Sequence, residues 1–452
     1  MLPTAIIGGG ITGLTAAWEL VKAGRPAVLI EKEQKPGGVI GTRVVHGCRI
    51  EAGPDSFLSS KPAALELIRE LGLESELIGS NDHLRVTYIL RKGRLIPMPD
   101  GLMMMIPTKL LPTALSPLLS WKTKLRMGLE YFSQTSPEAP ERSVAQLVRQ
   151  HYGQEAVDYL AEPLLSGVYG GDPEVLSANA VLGQFVEMEK TYGSLTKGTL
   201  EARRQRKADT GGSLFRTLKG GMGQLVDTLL ARIEGKVDIR TAAAQRLERT
   251  PSGWRIRLAD GTSVEAAQVI LAAPAPAAAA IIGETDPALS TLLAGIRYNS
   301  SMSIALGYNR TTLGHPLNGF GFLVPKVERK KLVACTWVGT KFNHRVPEDK
   351  AVLRCFLGGE HLGKTDEALI VDVRDEIRLL MGVVAEPEFV VVQRWNGAMA
   401  QYTLGHQERV REIFALAARH PGLALAGNAY QGIGIPDCIR SAQQAVRQLV
   451  GT

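Results

Sequence analysis

The sequence predicts a protein of mixed α/β and α+β class, in which a discontinuous α/β domain is accompanied by a helical domain and a β-rich domain. Three observations lead to this expectation. A strand, a glycine-rich turn and a helix open the chain, a similar unit closes it, and 452 residues, 45% of them hydrophobic, are enough for about three domains. We expect the α/β domain to comprise residues 1–84, 206–285 and 416–452, the helical domain 85–205 and the β-rich domain 286–415.

The first turn lies in the stretch TAIIGGGITGLTAAWEL and follows an apolar strand. Gly8 permits a sharp bend, Gly10 leaves the backbone open to a pyrophosphate, and Gly13 lets the next helix pack closely on the strand. The N–H groups at the start of that helix face an anion. This Rossmann-like pattern predicts dinucleotide contacts from Gly8, Gly9, Gly10, Ile11, Thr12 and Gly13.

The second strand ends at Glu31, eighteen residues beyond Gly13. An acidic side chain at this place accepts the hydroxyl groups of an adenosine ribose. The glycine pair Gly37 and Gly38 follows and offers further backbone N–H groups to phosphates. We therefore expect a bound dinucleotide at this turn.

The end of the chain, LALAGNAYQGIGIPDCIRSAQQAVRQLV, indicates a strand, a turn containing Gly427 and Gly434, and a helix that starts near Pro436. The N-terminus of such a helix can face the negative charge of a reduced isoalloxazine ring. A cofactor held by both ends of one chain is long and buried, which favours FAD over NAD.

The intervening segments carry two different patterns. Residues 85–204 indicate mainly helices, whereas short β-rich runs dominate 298–395 around one predicted helix at 366–381. Between them, WRIRLADGTSVEAAQVILAAP predicts strands joined by a turn at Asp260 and Gly261. The pattern therefore places the helical and β-rich domains between parts of the α/β domain.

The net charge of +7 does not indicate nucleic-acid binding, because the basic clusters 203–207 and 326–331 contain no interleaved aromatic residue. A basic surface equally suits an anionic membrane face or a polycarboxylate substrate. The apolar segment 102–121 is interrupted by prolines and by Lys109, so it cannot form an unbroken membrane-spanning helix. We expect it to line a pocket or to rest on a bilayer surface.

The four cysteines form no C-x-x-C pair and no metal-ligand spacing. We expect neither disulfides nor a metal site, which favours a reducing compartment. Only four residues precede the first predicted strand. The expected location is the cytoplasm, with peripheral attachment to the inner face of the membrane as an open alternative.

Seven segments spread along the chain are GGGITG, IEAGPDSFL, MIPTKLLP, AEPLLSGVYGGD, ACTWV, QYTLGHQ and GNAYQGIGIPDCI. In order and spacing, and over essentially the whole chain, they resemble the FAD-dependent porphyrinogen oxidases of haem synthesis. The family includes coproporphyrinogen III oxidases of Gram-positive type and protoporphyrinogen IX oxidases, within the amine-oxidase-like flavoprotein superfamily. The resemblance implies a FAD-binding domain, a β-rich substrate domain and a helical domain that in membrane-associated relatives touches the bilayer.

The same resemblance implies FAD contacts beyond the opening turn. It places Val237 beside the adenine, Trp395 near the flavin and the closing turn along the isoalloxazine ring. With the residues derived above, the further predicted contacts are Glu31, Lys32, Gly37, Gly38, Gly53, Pro54, Asp55, Ser56, Val237, Trp395, Gly427, Ile433, Gly434 and Ile435.

The implied activity is the oxidation of a porphyrinogen to a porphyrin. Flavin N5 would take a hydride from a methylene bridge while a pyrrole N–H loses its proton. Three such rounds would remove six electrons, and oxygen would reoxidise the flavin with release of hydrogen peroxide. Because the cofactor carries the difficult step, we expect no catalytic side chain and no metal. The partners implied are the porphyrinogen, oxygen and other enzymes of the haem pathway to which product is handed over.

Two apolar segments are expected to line the macrocycle. One is the loop around Gly167, and the other contains Phe320 and Phe322. Amine oxidases and carotenoid desaturases share the FAD signatures and stay open as more distant alternatives, as does a flavin-binding module without activity. An amine oxidase usually has an aromatic cage near the closing turn, for which Tyr430 is the candidate.

The cations near this pocket bear on the identity of the substrate. Protoporphyrinogen IX oxidases carry an arginine in the strand that reads RVTYILRKGRL here, and Thr87 occupies its place. Arg85, Arg91 and Lys109 are candidates to bind propionates. A site with several cations suits the four propionates of coproporphyrinogen III, which we therefore favour over protoporphyrinogen IX.

Overall fold

The computed structural model describes residues 1–134, 140–205 and 212–451. Its strands, in chain order, are β1 (Thr4–Ile7), β2 (Ala27–Glu31), β3 (Thr42–Val45), β4 (Cys48–Glu51), β5 (Phe57–Leu58), β6 (Leu77–Gly79), β7 (Thr87–Arg91), β8 (Arg94–Pro97), β9 (Leu102–Met103), β10 (Ile106–Pro107), β11 (Phe215–Leu218), β12 (Val237–Thr241), β13 (Ala244–Thr250), β14 (Gly253–Leu258), β15 (Ser263–Ala266), β16 (Gln268–Leu271), β17 (Tyr298–Asn309), β18 (Gly321–Leu323), β19 (Leu332–Trp337), β20 (Lys350–Gly358), β21 (Phe389–Ala400) and β22 (Leu423–Leu425).

The α-helices are α1 (Ile11–Lys22), α2 (Pro62–Glu70), α3 (Leu110–Leu115), α4 (Trp121–Leu129), α5 (Val144–Tyr152), α6 (Gln154–Ala156), α7 (Glu162–Tyr169), α8 (Ala178–Val181), α9 (Gly183–Tyr192), α10 (Leu195–Gln205), α11 (Gly223–Ile233), α12 (Ala275–Ile282), α13 (Pro287–Ala294), α14 (Val338–Lys341), α15 (Asp366–Met381), α16 (His406–Ala417) and α17 (Ile435–Val450). A π-helical turn, Val157–Ala161, leads into α7. The helix predicted at 366–381 is confirmed as α15.

A five-stranded parallel sheet, in the order β12-β2-β1-β16-β22, forms the centre of the α/β domain. Its strands come from the beginning, the middle and the end of the chain, which confirms the discontinuous arrangement. The strands β1, β2 and β16 are almost entirely apolar because helices and a second sheet cover both faces. Helices α1, α11 and α17 pack on one face, and α12 packs on the other.

A seven-stranded sheet, in the order β21-β17-β20-β19-β18-β7-β8, forms the β-rich domain. Strands β7 and β8 come from the segment that we assigned to the helical domain, so that domain does not start at residue 85. Their side chains alternate between two cores: Ile89 packs into the helical domain and Leu90 into the sheet. The other predicted domain boundaries stay predictions.

Helices α3 to α10 surround a separate core that includes Leu147, Tyr152 and Leu160. Among the described residues, no helix has both the length and the hydrophobicity needed to cross a bilayer. One face of this domain packs on β7 and β18, and another exposes α3 and α4. The domain therefore contributes both to the site described next and to an outer surface.

Candidate cofactor and substrate site

The glycine turn after β1 brings three backbone segments into contact. Gly8 has a φ of +108°, and a Cβ there would lie 2.9 Å from the carbonyl group of Ala272 in the loop after β16. A Cβ at Gly13 would overlap the carbonyl oxygen of Gly8, so α1 can pack on the turn only because residue 13 is glycine. Gly10 differs, since a Cβ there would meet nothing within 4 Å. Its backbone faces open space at the uncapped start of α1, which fits an approaching phosphate.

Glu31 stands beside this turn at the end of β2. Its Oε2 accepts the N–H of Gly9 at 2.5 Å, and its Oε1 accepts the N–H of Glu33 at 2.9 Å. The carboxylate is therefore held at the edge of the sheet where a ribose would bind. Lys32 points to solvent next to Glu33, so its side chain does not join Glu31 at this edge.

The second glycine pair packs directly on the first turn. The N–H of Gly37 donates to the carbonyl of Gly9 at 2.8 Å, and a Cβ at Gly38 would lie 3.1 Å from the Cα of Gly10. Both residues have positive φ values, of +142° and +59°. Two glycine-rich turns thus form one continuous surface around Gly10.

The segment Gly53 to Ser56 adjoins the same surface. A Cβ at Gly53 would overlap the carbonyl oxygen of Val39, the residue after Gly38. The indole N–H of Trp395 donates to the carbonyl of Ala52 at 2.7 Å, which places Trp395 next to this segment. Its contact with a flavin stays a prediction. Pro54 lies within this turn, and Ser56 donates to Asp55 at 2.7 Å.

The closing turn completes the cleft from the C-terminal side. Gly427 follows β22, and its N–H donates to Ser441 Oγ at 3.0 Å. Gly434 caps α17 without a side-chain hydrogen bond, so the first N–H groups of this helix are not satisfied by a cap. Burial raises the pKa of Cys438 to about 12, and its thiol is hydrogen-bonded to Thr12. The starts of α1 and α17 therefore lie side by side.

The first turn of α17 also carries a buried carboxylate. Asp437 is 3% exposed and pairs with Lys61 at 2.6 Å and with Arg440 at 3.0 Å. Ile435 packs into the domain core, and Ile433 is half-buried. The two cations compensate the negative charge of Asp437, which would otherwise oppose an anion at this helix end.

Val237 does not fit its predicted place beside the adenine. It opens β12 opposite Ala27, whereas Thr241 pairs with Glu31 at the ligand-binding edge of the sheet. Four residues of extended strand separate the two positions by about 13 Å. Val237 is 7% exposed within the core, and the chain after Thr241 is the part of this segment that reaches the cleft.

The cleft thus has uncapped helix starts, open glycine backbones and the carboxylate of Glu31 at one sheet edge. The sequence model of the protein family described as flavin containing amine oxidoreductase matches residues 11–450. The chain belongs to this family. It is a FAD-dependent oxidoreductase.

Relatives of near-equal length support this assignment. The chain is similar to the coproporphyrinogen III oxidase of Bacillus subtilis, with 34% identity over 98% of this chain and 96% of the relative. The chloroplastic protoporphyrinogen oxidase of Nicotiana tabacum is 27% identical over 100% of this chain and 86% of its own. A crystal structure from Exiguobacterium sp., assigned as a protoporphyrinogen oxidase, has a TM-score of 0.87 at 29% identity, covering 99% of this chain and 98% of that one.

The segments predicted to line the substrate form what we term the wall, where β7 and β18 meet α7. Thr87 pairs in register with Gly321, and a Cβ at Gly167 in α7 would lie 3.6 Å from the side chain of Leu323. The far end of α7 is held by Asn299, which donates to the carbonyl of Gly170 at 2.7 Å. The structure therefore brings three of the predicted substrate segments together.

Phe322 is not part of this wall. Side chains alternate along β18, so Leu323 faces the helical domain while Phe322, 1% exposed, is buried in the core of the sheet. Phe320 is also buried, and its backbone pairs with Val86 and Trp337. Leu323 is the residue of this run that contacts the wall helix.

Arg91 is committed to a structural ion pair. It lies 2.6 Å from Glu155, donates to the carbonyl of Leu118 and stacks over Tyr159. Burial would raise the pKa of Glu155, but hydrogen bonds from Ser120 and other donors, Arg91 among them, lower it to about 2. Arg91 therefore stabilises the helical domain, contrary to its predicted role as a propionate cation.

Arg85 and Lys109 remain accessible near Thr87. Lys109 forms an exposed pair with Asp100 at 2.6 Å, and its hydrogen bond, together with the weaker effect of Arg85, lowers the pKa of Asp100. Arg203 of α10 donates to Thr108 at 3.3 Å, next to Lys109. Sequence reasoning noted Arg203 only as part of a basic cluster, because its distance of almost a hundred residues from Lys109 hides their proximity.

Proposed function

We propose that this chain oxidises a porphyrinogen to a porphyrin in haem biosynthesis, and that its substrate is coproporphyrinogen III. The observation that carries the substrate proposal is the neutral Thr87 at the wall, whose carbonyl accepts the N–H of Met98. Arg85 and Lys109 both act on Asp100, two residues after Met98, and Arg203 contacts Thr108, next to Lys109. The near-full-length similarity to proteins named coproporphyrinogen III oxidase supports it. Several accessible cations suit four propionates better than two.

Bound FAD would accept hydrogen and electrons from the substrate and pass them to oxygen. For each macrocycle, six electrons and six protons leave, and three molecules of oxygen become three molecules of hydrogen peroxide. The chain's own part is to hold and orient the reactants. Leu323 and the helix around Gly167 supply an apolar wall, and Asn299 fixes the end of that helix.

Tyr430 bears on the amine oxidase alternative. It is 3% exposed, packs at 5.4 Å from the ring of Phe414 and belongs to the core of the α/β domain. A buried side chain of this kind does not form an accessible aromatic cage. This favours the porphyrinogen oxidase proposal over amine oxidation.

The deciding experiment follows porphyrin fluorescence with each porphyrinogen and hydrogen peroxide by a coupled assay. We expect a higher kcat/KM with coproporphyrinogen III than with protoporphyrinogen IX, and a preference that shrinks as salt screens the propionates. Equal or better turnover of protoporphyrinogen IX at low salt would reject the substrate and keep the reaction. Oxidation of neither substrate would reject both.

We also propose that the protein docks on an anionic membrane surface. Six apolar side chains of the segment 111–132 are each 60–76% exposed and form what we term the apolar face: Leu111, Leu115, Trp121, Leu125, Leu129 and Phe132. In α4, Trp121, Leu125 and Leu129 recur every four residues and so share one side of the helix, and Lys122 and Lys124 flank them. Apolar side chains bordered by lysines suit the boundary between lipid headgroups and acyl chains.

Sedimentation with vesicles tests this docking. We expect binding to phosphatidylglycerol vesicles that weakens with salt, and a several-fold loss in Leu125→Ser. Leu379→Ser is the matched control, because Leu379 is 63% exposed on the β-rich domain against 65% for Leu125. Equal loss in both variants, or no binding by the unmodified protein, would contradict the proposal.

A further inference from the structure

Two cations, the partly buried Lys341 and the buried Arg354, join the β-rich domain to the 53–56 turn of the cofactor cleft. Lys341, at the end of α14, lies 3.0 Å and 2.9 Å from the two carboxylate oxygens of Asp55. Arg354, in β20, is 5% exposed and donates to the carbonyl of Gly53 at 2.7 Å. Both cations come from one domain and act on one turn of the other.

A neighbouring ion pair shows what a purely structural contact looks like in this interface. Arg345 lies 2.5 Å from Glu51, and both side chains are buried. Glu51 also accepts the N–H of Met222 at 2.9 Å and the hydroxyl of Thr42 at 2.7 Å. These partners tie β4 to the start of α11 and satisfy one carboxylate fully.

The 53–56 turn has a surplus of positive charge. Burial would raise the pKa of Asp55, but the charges of Lys341 and then Arg354 outweigh it and hold this pKa below its usual range. Asp55 is therefore ionised at neutral pH and balances one of the two cations. Arg354 is also attracted by Glu51 and repelled by Arg345. In this cluster the three cations Lys341, Arg345 and Arg354 therefore face the two carboxylates Asp55 and Glu51, which leaves one positive charge in excess, and the Nε of Arg354 has no hydrogen-bond partner among the described residues.

The turn is close to the place where FAD fits. Gly53 packs on the carbonyl of Val39, which follows Gly38, and Gly38 packs on Gly10 at the phosphate-facing turn. Trp395 is held against the same strand end through Ala52. Charges in this buried interface are screened weakly by solvent, so they act on a cofactor in the cleft.

We propose that Lys341 and Asp55 are a positioning pair that sets the reduction potential of the bound FAD. The pair holds the 53–56 turn in place, Lys341 favours the reduced cofactor with its added negative charge, and Asp55 opposes it. This proposal rests on FAD binding and is independent of the identity of the substrate. According to this proposal, Lys341 and Asp55 shift the reduction potential of the bound FAD in opposite directions, although they form one ion pair.

The test compares Lys341→Met, Asp55→Asn and the double variant. The midpoint potential of the bound FAD is measured by equilibration with a redox dye, and FAD affinity by reconstitution of the apoprotein. We expect a more negative potential for Lys341→Met, a more positive one for Asp55→Asn and a value near the unmodified protein for the double variant. Each single change removes a charge-assisted hydrogen bond and should weaken FAD binding on the order of tenfold.

A matched control is Lys331→Met, because Lys331 also pairs with an aspartate, Asp372, within the β-rich domain. The midpoint potential of FAD bound to this control variant should equal that of the unmodified protein. Shifts in the same direction for both single variants, or an equal shift in the control, would show a merely structural contact and overturn the proposal. If Lys341→Met does not retain FAD, Lys341→Arg should keep the original potential while Asp55→Asn raises it, and an unshifted Asp55→Asn would also overturn it.

Discussion

The cofactor cleft and the substrate wall are built from different chemical groups. In the cleft, Gly8, Gly13 and Gly38 allow main-chain segments to approach where any Cβ would interfere. In the wall, the contacts are between side chains of distant segments, such as Leu323 with the helical core that includes Leu165, and Arg203 with Thr108 nearby. A position that requires glycine can be recognised from a short stretch of sequence. The partner of a side chain depends on how the whole chain packs. The following variants test this difference.

The largest effect is expected within the cleft, from Gly13→Val. A Cβ at residue 13 would overlap the carbonyl of Gly8, so α1 must move and the free energy of unfolding should fall by more than about 3 kcal/mol. Gly10→Val is the control, because Gly10 has a φ of −70° and free space around it. It should fold with unchanged urea stability and lose FAD. Similar unfolding of both variants would contradict the separate roles of the two glycines.

In the helical domain next to the wall, Arg91→Ala should lower the stability of the protein and leave its preference between the two porphyrinogens unchanged. It leaves Glu155 without its cation in a mostly buried site and should cost about 2 kcal/mol of unfolding free energy. Thermal unfolding and the ratio of kcat/KM for the two porphyrinogens check both parts. A changed ratio of the two kcat/KM values with unchanged stability would indicate that Arg91 contacts the substrate after all.

Glu31→Ala should weaken FAD binding in the cofactor cleft without unfolding the protein. If its carboxylate accepts two ribose hydroxyls, its loss should cost roughly 1–3 kcal/mol of FAD binding. Titration of the apoprotein with FAD measures this loss, and Glu31→Gln, which keeps an acceptor for Gly9, should lose less. Unchanged FAD affinity in Glu31→Ala would remove Glu31 from the site.

The stability of the helical-domain core should depend on pH. His151 is fully buried, with its ring nitrogens 2.7 Å from Glu130 and 2.9 Å from Glu189. Burial lowers its pKa, but the two carboxylates outweigh this and raise it above the ordinary value of about 6.5. The stabilisation is therefore complete below about pH 6.5 and is lost as the pH rises through the folded-state pKa. Urea unfolding between pH 6 and 9 should show this decline, and His151→Gln should abolish it; stability that rises over this range would contradict the assignment.

The smallest effects are expected from the exposed cations of the wall. Removal of one charge at Arg85, Lys109 or Arg203 should lower kcat/KM for coproporphyrinogen III by about two- to fivefold at low salt, and less for protoporphyrinogen IX, because solvent screens these groups. Lys32→Ala serves as a control, since Lys32 is exposed beside the cofactor turn. A loss that is equal for both substrates would exclude a role in reading propionates.

The sequence alone predicted which turns meet at the cofactor cleft, because parallel strands place the turns at their carboxyl ends on one edge. Gly8 to Gly13, Glu31 and Gly427 meet there for that reason. Val237 was misplaced because a strand has two ends, and only the register with β2 shows which residue of β12 reaches the edge.

The composition and motifs of the sequence determined the fold class, the FAD-binding turns and the family. Only the tertiary structure decided that Arg91 binds Glu155, that Phe322 faces the sheet core, and that Lys341 and Arg354 hold the 53–56 turn. Backbone conformations are restricted locally by glycine and by strand ends. The partner of a charged or apolar side chain depends on which distant segment packs against it, and no short stretch of sequence contains that information.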